Sequence, residues 1–92
     1  MNNFKSNLDT AVITTRYVIK SQSPILYVFH FEDGNWQFNS RESSLNDEDY
    51  MVISLREILE KDESLQELET LPPGFEATRL SKTQPWEINK LN

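Results

Sequence analysis

The chain has 92 residues, a formal net charge of −6, no cysteine, one histidine and two glycines. That length holds a single domain with one modest core, burying about 60–65% of the surface that its unfolded form exposes. The absence of cysteine excludes a disulfide framework and a thiolate metal site, and the acidic balance disfavours nucleic acid as a ligand.

Residues 1–10 show little apolar periodicity and are expected to form a flexible N-terminus. Met1 to Asn7 is polar and lacks the apolar stretch of a signal peptide. The longest apolar run, Ile25 to Phe29, is strand-sized and far short of a membrane helix. The expected location is therefore the cytoplasm, with no membrane contact.

Ala11-Val12-Ile13-Thr14-Thr15 is rich in β-branched residues and reads as a first strand. Arg16 to Lys20 either extends it or turns into a short helix, and Pro24 marks a break. The clearest element is a hairpin: Ile25 to Glu32, a two-residue turn at Asp33-Gly34, and a return over Asn35 to Ser40. That turn pairs Phe31 with Trp36 and Phe29 with Phe38. It puts Tyr27, Phe29, Phe31, Trp36 and Phe38 on one core-facing side, with His30 and Gln37 on the other.

Arg41 to Asp49 reads as a polar, acidic loop and Tyr50 to Ile53 as a short strand. Ser54 and Glu57 have the spacing of a capping box, opening a helix whose Leu55, Ile58 and Leu59 share one face. Glu57 and Lys61 are spaced to form an ion pair on that helix. Asp62 either interrupts the helix to cap a second one carrying Leu65 and Leu68, or the helix runs on to residue 69. Pro72-Pro73-Gly74 must end it. Phe75 to Arg79 alternates as a last strand, on which Arg79 needs an acidic partner or an edge position. Residues 81–92 read as a tail, where Trp86 either staples the chain down or offers a partner an anchor. The whole predicts one α+β domain over residues 11–80. Its expected form is a small, mostly antiparallel sheet of four to five strands with one or two helices packed on one face.

The chemistry points away from an enzyme. The lone histidine, His30, lies in a strand, and no serine sits in a nucleophile elbow. Gly34 and Gly74 both belong to turns, so no phosphate-cradling loop can be built. Asp47-Glu48-Asp49 lacks the spacing and glycine of a calcium loop. No cofactor or metal is expected. The charge is local: residues 42–69 hold ten acids against two bases, a segment of −8 in a remainder of +2. Such a segment is either an ordinary solvated surface or a docking surface for a basic protein. On the second reading Asp47, Glu48, Asp49, Glu60, Asp62, Glu63 and Trp86 are the candidate partner-binding residues. The alternative is a self-associating structural module, a homodimer joined through an exposed strand edge or the tail, which a strictly monomeric chain would exclude.

The succession of Val12-Ile13-Thr14, Ser23-Pro24-Ile25-Leu26-Tyr27-Val28, Trp36-Gln37-Phe38, Ile53-Ser54-Leu55-Arg56-Glu57-Ile58-Leu59 with Asp62 and Leu65, and Pro73-Gly74-Phe75-Glu76-Ala77-Thr78-Arg79 resembles a family of small bacterial domains. These are the immunity-protein thirty-three type, of the polymorphic toxin systems. The resemblance runs over about residues 11–80. Where relatives carry an acidic insertion before Trp-x-Phe, this chain has only Glu32-Asp33-Gly34-Asn35. The resemblance implies neutralisation of a toxin by binding and carries over no catalytic residue.

Overall fold

The computed structural model describes Phe4 and residues 8–91. In chain order the elements are β1 (Ala11–Thr15), α1 (Arg16–Lys20), β2 (Tyr27–His30), β3 (Trp36–Asn39), a 3-10 turn at Asp47–Asp49, β4 (Tyr50–Ser54), α2 (Leu55–Lys61), a 3-10 helix at Glu63–Leu68, β5 (Phe75–Thr78) and β6 (Glu87–Lys90). The strands form one sheet in the order β4-β1-β3-β2-β5-β6. Every neighbouring pair is antiparallel except β1 with β3. This is the mostly antiparallel α+β arrangement expected from the sequence, with six strands instead of four or five.

The helices gather on one face because their apolar positions do. Val18 of α1, Leu55, Ile58 and Leu59 of α2, and Leu65 and Leu68 of the 3-10 helix join one cluster with Val12, Val28, Trp36, Phe38 and Ala77 of the sheet. Phe38, Ile58 and Leu65 are completely buried, and each such side chain contributes about 1.5–3 kcal/mol by leaving water. Local signals set the boundaries of these elements. Ser54 Oγ accepts from the Glu57 N–H while Glu57 Oε1 accepts from the Ser54 N–H, which completes the capping box and starts α2. Asp62 ends α2 and caps the 3-10 helix by accepting from the Ser64 N–H at 2.9 Å. Lys61 does not pair with Glu57; its Nζ donates to the Ile19 carbonyl at the end of α1, 3.4 Å away.

The hairpin register differs from the expected one by a residue. His30 pairs with Trp36 and Val28 with Phe38. The turn is the cause. The Phe31 N–H donates to the Asn35 carbonyl and the Gly34 N–H to the Phe31 carbonyl, each at 2.9 Å, which makes a three-residue loop over Glu32-Asp33-Gly34. Gly34 takes φ +94, whereas Asp33 is not in the left-handed region that a two-residue Asp-Gly turn requires. Asp33 Oδ1 instead accepts from the Asn35 N–H at 3.0 Å and closes the loop. Because strand side chains alternate, the one-residue slip moves Tyr27, Phe29 and Phe31 off the core face and puts His30 onto it.

Two further expectations change. Residues 81–92 are not all tail: Glu87 to Lys90 pair along β5 as the edge strand β6. Within the segment expected to be a flexible N-terminus, Phe4 is buried with its ring edge-on to Trp36 at 5.2 Å, and the Leu8 and Thr10 carbonyls accept from α2. The rest of that expectation, residues 1–3 and 5–7, lies outside the described residues.

Candidate functional site

Two of the seven candidate partner-binding residues are turned inward. Asp49 is buried, with Oδ1 accepting from Arg16 Nε at 2.9 Å and Oδ2 from the Asn46 N–H at 2.8 Å. Asp62 is buried against Arg79 and Ser64. Their carboxylates hold loops in place and are not presented to a partner. Asp47, Glu48, Glu60 and Glu63 are exposed, the first two in the 3-10 turn before β4 and the others around the end of α2.

Arg79 finds the acidic partner that the sequence calls for, and more besides. Its five N–H groups reach Asp62 Oδ2, the Ile25 carbonyl twice (3.0 and 2.9 Å), Ser64 Oγ (2.9 Å) and the Lys82 carbonyl (3.1 Å). The ring of Trp86 covers the guanidinium, 4.0 Å from Cζ to the ring centroid, so Trp86 staples the chain after β5 to the helical layer. Burial alone would push the Asp62 carboxyl up. The Ser64 hydroxyl and N–H and the Arg79 guanidinium outweigh burial and hold it below its ordinary value. Beside this strut lies a cleft of about 550 Å³ lined by Val18, Ser23, Ile25, Lys61, Asp62 and Lys82. Its charges are mixed, and its one buried carboxylate is already satisfied by Arg79 and Ser64.

His30 is likewise engaged. Its ring stacks on Trp36 at 3.8 Å, and Nδ1 lies 2.7 Å from the Leu71 carbonyl. A carbonyl only accepts, so Nδ1 carries the proton in that contact. Among the described residues no group of three or more His, Asp or Glu is arranged to hold a metal ion.

The feature that sequence reasoning missed is the other face of the sheet. Helices α1 and α2 and the 3-10 helix at Glu63–Leu68 pack on the core side, and the register places Tyr27, Phe29 and Phe31 on the opposite side with Gln37, Ile13 and Val52. The three aromatics form a ladder of nearly parallel rings. Tyr27 and Phe29 are 6.4 Å apart at 4°, and Phe29 and Phe31 are 5.9 Å apart at 14°. Tyr27 is 38% exposed and Phe29 and Phe31 are half-buried. Beyond the polar Gln37 and Asn39 of β3, Tyr50 and Val52, 38% and 69% exposed, form a separate apolar patch with Ile13 at the β4 edge. On the other flank Glu76 stands opposite Phe29, while Thr78 separates Tyr27 from Glu87. Glu32, next after Phe31, lies against Gly74, where an added Cβ would come within 3.3 Å of its Cγ. Among the described strand residues that the register places on this face there is no lysine or arginine. The sequence holds no signal that separates this face from the core face, because Asp33-Gly34 is compatible with a two-residue and a three-residue turn.

Among the described residues no helix is long and apolar enough to cross a membrane. No family model matches the chain, and no curated protein or solved structure is detectably similar to it.

Proposed function

We propose that this protein is a non-catalytic module that binds a basic protein, acting in the cytoplasm. The resemblance in its sequence favours one kind of partner, a cationic toxin that the module would neutralise as a bacterial immunity protein does. The observation that carries this reading is the charge left over once the ion pairs are accounted for. Three ion pairs, Arg16–Asp49, Arg56–Asp9 and Arg79–Asp62, each remove one charge of either sign. The whole excess of −6 therefore falls on the remaining groups, among them the exposed Asp47, Glu48, Glu60 and Glu63. A field of one sign speeds encounter with an oppositely charged protein and selects against acidic ones. The engagement of His30 with Trp36 and Leu71 favours a structural role for the only histidine.

A second reading, self-association, has the edges of β4 and β6 in its favour, since among the described residues each leaves one side of a strand without a partner. The charge of β6, with Glu87 and Lys90 both exposed, works against stable edge pairing.

A pull-down with the full chain as bait, from lysate of cells that produce it, tests the first reading. The expected result is capture of basic proteins at low salt. They should elute as salt approaches about 1 M, where the Debye length shrinks to about 3 Å. A bait that retains no basic protein at low salt contradicts it.

A further inference from the structure

We infer that the open sheet face, and not the acidic helical side, is the docking surface, and that its occupant is an extended basic segment presenting arginine side chains. This rests on the proposed binding function and specifies its surface and chemistry. Two features of the face coincide. One is the ladder Tyr27-Phe29-Phe31, whose rings share nearly one orientation. The other is its flank: Glu76 directly opposite Phe29, and Glu87 one strand further, across Thr78 from Tyr27. A guanidinium stacks on an aromatic ring and donates two parallel hydrogen bonds to a carboxylate. A ring with a carboxylate one strand away offers both interactions to one side chain. Such a segment, running along β2, would place alternate side chains about 6.5–7 Å apart, close to the ring spacings of the ladder.

Charge separates this occupant from a second copy of the chain. A two-fold pairing of this face with itself would bring Glu76 and Glu87 of both copies into one interface, with no lysine or arginine from the described strand residues of the face to offset them. It separates the face from the helical side too. There Lys20, Lys61 and Lys82 are interspersed among the acids, so a cation arriving at that layer meets both signs.

The test is an amide-shift titration of the full ¹⁵N-labelled chain at low salt. The probe is a synthetic peptide alternating arginine with valine, with lysine–valine and glutamate–valine peptides alongside. The expected shifts cluster at 27–31, 75–78 and 87–90, the arginine peptide binding more tightly than the lysine peptide and the glutamate peptide not binding. Glu76→Lys with Glu87→Lys should weaken the arginine peptide about tenfold or more, as like charges across an interface do. Glu60→Lys with Glu63→Lys should change it less than about twofold. If the charge reversal disturbs the fold, Glu76→Gln with Glu87→Gln replaces it, and loss of affinity is still required. Shifts confined to residues 57–69, or affinity unchanged in the sheet-face variant, overturn the assignment of the face while leaving the binding reading standing. Equal binding of the lysine peptide overturns the choice of arginine. No shift with either basic peptide overturns the face and the binding reading together.

Discussion

Arg79 uses every N–H of its guanidinium inside the protein and lies beneath the ring of Trp86. With its side chain almost fully enclosed, it depends on Asp62 for charge compensation. Removing one member of a buried pair leaves an uncompensated charge and costs about 3–5 kcal/mol. Asp62→Ala should lose that much, measured by urea unfolding, and it also removes the cap of the 3-10 helix. The pair has a pH signature as well. The folded-state Asp62 carboxyl titrates below its ordinary value, while in the unfolded chain it titrates near about 3.9. Its contribution is therefore complete above that value and disappears as pH falls through the lower folded value. Melting temperatures from pH 7 to pH 2 should fall more steeply below about pH 4 for the parent chain than for Asp62→Ala. An identical acid limb in the two would show that Asp62 contributes nothing through its charge.

At the scale of elements, the hairpin decides which aromatics hold the fold together. Phe38 is completely buried, and Phe38→Ala should cost about 3–5 kcal/mol. Phe31 belongs to the open ladder, and Phe31→Ala should cost at most about 1 kcal/mol, the scale of a cross-strand contact. Equal losses for the two in chemical denaturation would restore the two-residue turn and its register. Most elements were legible because local chemistry encodes them. β-Branched residues mark β1, the Ser54–Glu57 capping box starts α2, Asp62 caps the 3-10 helix, and the prolines before Gly74 bar any helix from continuing. The register was not legible. Between Ile25 and Phe31 both alternating sets are apolar apart from His30, so the larger aromatic set was the natural choice for the core. The true core set, Val28 with His30, is selected by a left-handed Gly34 that the pair Asp33-Gly34 permits in either turn. The site met the same fate. Asp49 and Asp62 read as members of an acidic surface in the sequence because the arginines that bury them lie 33 and 17 residues away.

The whole molecule has two dissimilar faces. One layer of short helices covers the sheet on the core side, and its exposed surface mixes acids with Lys20, Lys61 and Lys82. The opposite face carries a ladder of aromatics, a patch at Ile13, Tyr50 and Val52, and carboxylates at Glu76 and Glu87. An exposed apolar surface of this kind on a small acidic domain marks an interaction site more often than it serves the fold. Docking at that face requires it to be open in the free protein. Hydroxyl-radical footprinting of the free chain, read residue by residue by mass spectrometry, measures this directly. Tyr27, Phe29 and Phe31 should be oxidised in the folded protein, while Phe38 and Trp36 stay protected until it unfolds. Protection of all three β2 aromatics, or oxidation of Phe38 as fast as Phe29 once intrinsic reactivity is normalised, would contradict docking at this face.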